Sequence, residues 1–175
     1  MDRKRQFLTK LEEFFKDDED VEEVSLFTAK ELEAPMDVLR AFLSDYGPGR
    51  IDVLAEFSFL PFEGPEEVLY FSSVLTIMSE MPKDAVPAVA GAIARLNFYI
   101  PYGSFGISSE GNMLVYKSVT ALRADHDDKT LYEDIELAAD TALLFPENFT
   151  YDLERVAIGD LLLDEYLEKM KKQIK

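Results

Sequence analysis

Residues 97–122, "NFYIPYGSFGISSEGNMLVYKSVTAL", form the most strongly patterned stretch of this 175-residue chain. The stretch starts at the end of a helix-like segment, passes through Pro101 and Gly103, and continues as two strand-like runs, "SFGI" and "MLVYKSVTAL". Proline and glycine interrupt regular structure, and the polar "SSEGN" between the runs is typical of a hairpin turn. The pattern therefore predicts a helix terminus, a short link and an antiparallel hairpin.

The segment before this stretch is predicted to be a helix that opens at Pro82 and Asp84. Pro87 falls in its first turn, where the missing N–H has no helical partner. A single apolar stripe with steps of three and four residues runs along the segment. Its members are Val86, Val89, Ile93, Leu96 and Ile100.

Three strand-like runs precede that helix. "VLRAFLSDY" and "IDVLAEFSFLPF" flank the "GPG" of residues 47–49, which predicts a hairpin, and "EEVLYFSSVLTIM" follows the turn "PFEGPE". The runs are almost continuously apolar, so we expect one face of the sheet to be buried and the other to be partly covered. Glu56 interrupts the second run, and we expect it on the solvent side of the sheet. A buried Glu56 would instead be a candidate acid with a raised pKa.

The N-terminal residues predict a helix over 3–17, with an aromatic-rich face formed by Phe7, Leu8, Leu11, Phe14 and Phe15. The acidic run 17–20 ends the helix, because negative charge opposes the dipole at a helix C-terminus. Residues 21–28 are ambiguous. Asp20 with Glu23 is compatible with the cap of a second short helix, whereas "VSLFTA" is equally compatible with a strand.

Two further helices are predicted after the hairpin. Thr130 with Glu133 matches a capping box that opens a helix, and Pro146 stops it. A last helix is predicted over 150–174, with an apolar stripe made of Val156, Leu163, Leu167, Met170 and Ile174. The consecutive leucines 161–163 extend beyond one stripe, so this helix is expected either inside the core or paired with a second copy of the chain.

The predicted order is α-β-β-β-α-β-β-α, followed by the extra C-terminal helix. Strands grouped in this way predict a single α+β domain over 1–175, with an antiparallel sheet of about five strands and helices packed on it. Its core would span about 38–145, with the helices at 3–17 and 150–174 packed against it.

Composition excludes several classes of function. The chain has 35 acidic and 18 basic residues, a net charge of -17, and no Cys. Such a charge disfavours nucleic-acid and membrane-surface partners, and the missing Cys excludes disulfides, thiolate catalysis and Cys-ligated zinc. The basic N-terminus lacks the apolar core of a signal peptide, and no run approaches the length of a membrane span. We therefore expect a cytoplasmic protein.

No sequence motif of a catalytic class is present. His126 is the only histidine, and the chain lacks a G-x-S-x-G elbow, a P-loop and the dinucleotide-binding glycine pattern. With so many carboxylates, no spacing singles out a catalytic pair. We predict no catalytic residue and no cofactor.

The loop "ADHDD" is a candidate ion site, because His126 lies beside Asp125, Asp127 and Asp128 and such groups can share a divalent ion. Adjacent residues of one loop rarely converge on one ion, and this spacing fits neither an EF-hand nor a paired-His zinc motif. We therefore predict a solvated turn and no metal ligand, while ion binding by this loop stays an open alternative.

The order of elements and "ARLNFYIPYGSFGISSEGNMLVYKSVTAL" together resemble the YbjN-like family within the type III secretion chaperone-like fold. That family shows a helix ending in Asn, a Leu/Ile-Pro-x-Gly-x-Phe link, and a hairpin with an acidic-Gly turn before a Tyr-rich strand. Here the link is 100–105, the turn is Glu110 with Gly111, and the strand residues are 114–116. The resemblance covers roughly 38–145 and implies a small, acidic, often dimeric protein. Secretion chaperones of this fold bind extended segments of effector proteins.

Four aromatic residues surround the join between helix and hairpin: Tyr99, Tyr102, Phe105 and Tyr116. One interpretation is an exposed surface that binds a protein, since Tyr and Phe are good interface anchors. The other is that they close the core where the helix meets the sheet, because large aromatic side chains are usually buried.

We predict a non-enzymatic protein-interaction module that binds a segment of a protein partner, or binds itself as a homodimer. It would capture the segment by strand addition at a sheet edge or by helix docking in a groove. Its acidic surface would favour basic partners. The alternative is a small carboxylate-based enzyme, or a ligand-binding or metal-binding domain.

Overall fold

A computed structural model describes residues 2–62, 67–108 and 112–173, which form six strands and five helices. In chain order these are α1 (Arg3–Lys16), β1 (Val21–Phe27), β2 (Val38–Tyr46), β3 (Ile51–Phe59), β4 (Val68–Met78), α2 (Val86–Tyr99), β5 (Ser104–Ile107), β6 (Leu114–Arg123), α3 (Asp128–Leu144), α4 (Glu147–Ile158) and α5 (Leu163–Gln173). The strands form one antiparallel sheet in the order β1-β2-β3-β4-β6-β5. The predicted α+β class with an antiparallel sheet is confirmed.

The ambiguous segment after α1 is a strand. The N–H of Val21 donates to the C=O of Asp18 across 3.2 Å, which turns the chain back after the helix. Val24 then pairs with Ala41 of β2, and Leu26 pairs with Leu39. The side chains of Val24 and Leu26 both pack on the core.

The sheet has one covered face and one open face. In β3 every odd-numbered residue is buried, while Leu54, Glu56 and Ser58 on the other side are half-exposed. The helices lie on the covered face: Phe15 of α1, for example, stacks on Phe57 with ring centroids 5.2 Å apart. The expectation for Glu56 is confirmed, since it lies on the open face and its Oε1 pairs with Nε of Arg40 at 2.8 Å.

The C-terminal region differs from the single helix predicted over 150–174. It forms two helices, α4 and α5, because Gly159 adopts a left-handed backbone with φ 83° and ends α4. The N–H groups of Asp160 and Leu161 then donate to the C=O of Arg155. Leu161 and Leu162 therefore lie in the link between the helices, and the run of leucines is not the face of one helix.

The start of α3 also differs from the predicted Thr130–Glu133 capping box. The N-cap is Asp127, whose carboxylate accepts the backbone N–H groups of Lys129 and Thr130. Thr130 Oγ1 also donates to this carboxylate. A carboxylate at the N-cap satisfies free N–H groups of the first turn, so the helix starts earlier than predicted.

Only some of the predicted turns lie within the residues that the structure describes. The "GPG" hairpin joins β2 to β3 as predicted, and Gly47 has φ 66°. Gly49 is required by packing, since a Cβ atom there would overlap the Tyr151 ring of α4. Most of the "PFEGPE" turn, the Glu110–Gly111 turn and Ile174 lie outside the described residues.

Candidate functional site

The structure separates the four aromatic residues of the predicted cluster. Phe105 and Tyr116 are 3% and 0% exposed, and they belong to the core. Tyr102 is half-buried, whereas Tyr99 is 47% exposed at the end of α2. A partner can therefore reach Tyr99 and part of Tyr102, while Phe105 and Tyr116 act as scaffold residues rather than as a binding surface.

A hydrogen bond and a close approach fix the join between helix and hairpin. The hydroxyl of Tyr116 donates to the C=O of Tyr102 at 2.8 Å, and its ring lies 5.1 Å from the Phe105 ring. Gly103 has φ 65°, and a Cβ atom at this position would overlap the Tyr116 hydroxyl. Glycine is therefore required here both for the backbone conformation and for the space that the tyrosine occupies.

Asn97 covers the outer edge of β5. Its side-chain amide donates to the C=O of Phe105 at 2.8 Å, and its Oδ1 accepts the Phe105 N–H at 2.9 Å. These two bonds are the ones that an additional strand would make with this residue. The short β5 edge is thus occupied by the chain itself.

The opposite edge, β1, is open. Within the described residues β1 pairs only with β2, so its outer N–H and C=O groups have no strand partner. Six of the seven residues 17–23 are acidic, and all six are exposed. None of these carboxylates forms an ion pair with a described residue. We call this strand with its preceding run the acidic edge (residues 17–27).

A cavity of about 420 Å³ adjoins the start of the acidic edge. Five carboxylates are among its lining residues: Asp18, Asp20, Asp45, Asp140 and Glu147. Burial raises the pKa of Asp140, and the nearby carboxylates of Glu136 and Asp18 raise it further. Of these five carboxylates, only Asp45 forms an ion pair with a described residue, and that residue is Arg50. The region therefore concentrates negative charge where β1 begins.

The open face of the sheet is a second accessible surface. Strand register places Val115, Thr76, Leu54 and Phe42 in one row across it, and Val119, Ser72, Ser58, Val38 and Phe27 in another. The row between them contains Lys117, Val74, Glu56 and Arg40. Phe42 and Val119 are the most exposed large apolar residues of these rows. The two outer rows thus mix apolar side chains with the hydroxyl side chains of threonine and serine, and the middle row carries the charged residues together with Val74.

Each of the three aspartates in the loop 125–128 has its own partner. Asp125 holds the guanidinium of Arg123, Asp127 caps α3, and Asp128 accepts from Nε of Arg3 at 2.8 Å. His126 Nδ1 lies 3.4 Å from Asp134, too far for a good hydrogen bond. Over residues 2–62, 67–108 and 112–173, no group of three or more His, Asp and Glu side chains is placed to hold a metal ion.

Sequence reasoning missed the acidic edge as a site. It interpreted the run 17–20 as a helix stop and Asp20 as a possible helix cap, and it did not place Asp45, Asp140 and Glu147 near this run. The available signal was "DDEDVEEVSLF", in which exposed carboxylates lead directly into a strand.

Two comparisons with known protein sequences found no relative of this chain. No protein-family model matches the chain, and no curated protein sequence matches it significantly. None of the described helices is long and apolar enough to cross a membrane. The functional conclusion therefore depends on the accessible surfaces of the fold.

Proposed function

We propose that this protein is a non-enzymatic interaction module that captures an extended, basic protein segment by strand addition at the acidic edge. The observation that carries the proposal is the free outer edge of β1 beside six exposed, unpaired carboxylates. Strand addition supplies main-chain hydrogen bonds, and the side chains of the added strand supply specificity. A secretion-chaperone-like role and membership of the YbjN-like family are compatible with this function and stay predictions.

The two sheet edges differ in a way that supports this site. Asn97 already takes the outer hydrogen-bonding groups of Phe105 in β5. The seven-residue β1 is longer than the four-residue β5, and no side chain in the described part of the chain bonds to its backbone as Asn97 bonds to Phe105. An incoming strand therefore finds more unpaired backbone at β1.

Charge selects the partner at this edge. Carboxylates repel an acidic segment and attract lysine and arginine side chains. The cavity at the start of β1 places further carboxylates within the same region, including Asp140, whose pKa is raised by burial and then by its acidic neighbours. A bound cationic side chain would relieve that repulsion and return the pKa of Asp140 toward its usual range.

Peptide binding tests the proposal. Binding is measured by fluorescence anisotropy with two fluorescein-labelled peptides, one of alternating Val and Lys residues and one of alternating Val and Glu residues. We expect the Val/Lys peptide to bind the protein and the Val/Glu peptide to show no binding. Changing Asp20→Asn, Glu22→Gln and Glu23→Gln together should weaken binding at least tenfold. Raising the salt concentration should weaken it as well, because the attraction between exposed charges is screened.

Two controls make this test specific. The variant Glu80→Gln, Asp84→Asn, Glu133→Gln removes the same number of exposed charges away from β1, and it should bind as the unchanged protein does. A Val/Lys peptide with a fully N-methylated backbone keeps its charge but donates no main-chain hydrogen bond. Equal binding by this peptide would refute strand addition, and equal losses in the two triple variants would refute the acidic edge as the site.

A further inference from the structure

We infer that a groove between strand β6 and helix α3 binds a small organic ammonium ion with an apolar body, of the arylalkylamine class. The groove shares no residue with the acidic edge, and the inference does not depend on peptide capture. It follows from the size and apolar walls of the groove. It follows also from an unpaired carboxylate beside an imidazole nitrogen that has no hydrogen-bond partner.

The groove exists because the sheet stops short at this place. β5 pairs with β6 only as far as Lys117, which lies opposite Ser104, while β6 continues to Arg123. Helix α3 packs across β6. The space that is left between the strand and the helix has a volume of about 390 Å³. Small-molecule sites in proteins have volumes of about 300–1,000 Å³, so the groove has the size for a compact ligand.

The chain itself closes both ends of the groove. At one end the Tyr102 hydroxyl and Thr120 Oγ1 share a hydrogen bond of 2.8 Å. At the other end the chain turns after β6, and the N–H of His126 donates to the C=O of Arg123 at 3.3 Å. An added strand would have to continue past both of these points, whereas a small molecule fits between them. The groove therefore differs from the free edge of β1.

The walls between these ends are mainly apolar. Leu122 of β6 and Ala138 of α3 line the groove and are almost fully buried. Leu137 lines it as well, and its side chain is 66% exposed. A ligand with an apolar body would remove this leucine surface from water, which favours binding.

The polar groups at one end of the groove form a pair of acceptors. His126 Nδ1 and Asp134 Oδ2 are 3.4 Å apart, and both residues line the groove. Nδ1 is buried and has no hydrogen-bond partner. With the imidazole proton on Nε2, Nδ1 is an acceptor, as the carboxylate oxygens are. An ammonium group on a ligand can therefore donate to both atoms at once, at the usual distance of about 2.9 Å from each.

The charge at this end is not balanced by the protein. No lysine or arginine in the described part of the chain pairs with Asp134. Two arginines of the same region already have partners, since Arg123 is bound to Asp125 and Arg3 is bound to Asp128. An ammonium ion supplies the missing positive charge. The net charge of -17 also attracts cations to the protein and repels anions.

Isothermal titration calorimetry with 2-phenylethylamine, which is an ammonium ion at neutral pH, tests the site. We expect one molecule of this amine to bind each chain. Methylamine lacks the apolar body, 2-phenylethanol lacks the charge, and phenylacetate reverses it. Each of these three should bind at least about tenfold more weakly. Equal binding of any of them would overturn the inference, and so would the absence of 2-phenylethylamine binding at millimolar concentration.

Two neighbouring variants locate the ammonium group. Asp134→Asn removes the carboxylate charge and keeps the shape of the side chain, so it should weaken binding about tenfold. Glu133→Gln removes the same charge from an exposed residue that does not line the groove, and it should bind as the unchanged protein does. Circular dichroism should be the same for both variants, since neither side chain is in the core. Equal affinities of the two variants would overturn the inference.

A nuclear magnetic resonance titration gives a second, local measurement. His126 is the only histidine, so the imidazole proton resonances report on this end of the groove alone. They should shift on addition of 2-phenylethylamine and saturate at the concentration at which the heat of binding saturates. Binding without such a shift would place the amine elsewhere. Displacement of the amine by the Val/Lys peptide would assign the groove to a protein side chain. Either result would overturn the inference.

Discussion

Replacing Tyr116 with serine should remove a large part of the free energy of unfolding of this protein. Tyr116 nevertheless belongs to the aromatic set predicted to bind a partner. Its ring is completely buried and packs at a tilt against the Phe105 ring, and its hydroxyl donates to the C=O of Tyr102. Truncating a buried aromatic side chain costs about 3–5 kcal/mol. The unpaired C=O adds about 1–3 kcal/mol where water cannot reach it. The total approaches the whole stability of a typical domain.

The assay is urea unfolding followed by circular dichroism, with two comparison variants. Tyr116→Phe keeps the ring and removes only the hydroxyl, so we expect a loss of about 1 kcal/mol. Tyr99→Ser changes an exposed ring, and we expect a change within about 0.5 kcal/mol. If Tyr116→Ser lowered the free energy of unfolding by less than Tyr99→Ser, or by under about 1 kcal/mol, Tyr116 could not be a core residue.

Three further outcomes are expected from thermal or urea unfolding. Gly103→Ala should cost about 2–4 kcal/mol, because a Cβ atom at φ 65° is strained and overlaps Tyr116, and a neutral result would contradict that packing. Asp140→Asn should raise the free energy of unfolding by about 0.2–0.5 kcal/mol at pH 7, because it removes repulsion from Glu136 one turn away. The pKa of Asp140 is raised, so this gain should disappear as the pH falls and the carboxyl becomes protonated. Asp127→Ala should lower the melting temperature at neutral pH. Hydrogen bonds to the N-terminus of α3 depress the pKa of Asp127, so the difference should vanish as the pH falls through that pKa, and a loss that persisted in acid would argue against the cap.

Local sequence signals were sufficient for the central part of the fold. The stripe that ends at Ile100 and the Pro101–Gly103 link predicted α2 and its end, and the apolar runs with their turns predicted β2 to β6 and an antiparallel sheet. These features depend on residues that are close in the chain, where period and turn chemistry carry the information.

The misses have separate physical causes. β1 was ambiguous because acidic residues at its start fit a helix cap as well as a strand, and pairing with β2 decides between them. Gly159 was overlooked as the end of α4, although glycine in a left-handed conformation is a common helix terminator. The burial of Tyr116 and the exposure of Tyr99 depend on which residues the folded sheet brings above them, and spacing in the sequence does not contain this information.

The acidic edge also explains why an open strand need not cause aggregation. Edge strands are protected in proteins by charged side chains, by short length or by cover from another element. β5 has the last two, through its four residues and the bonds from Asn97. β1 has only charge, and the carboxylates that oppose its pairing with a second acidic β1 do not oppose a basic strand. Under the proposed strand addition, the residues that protect the edge also favour a basic partner.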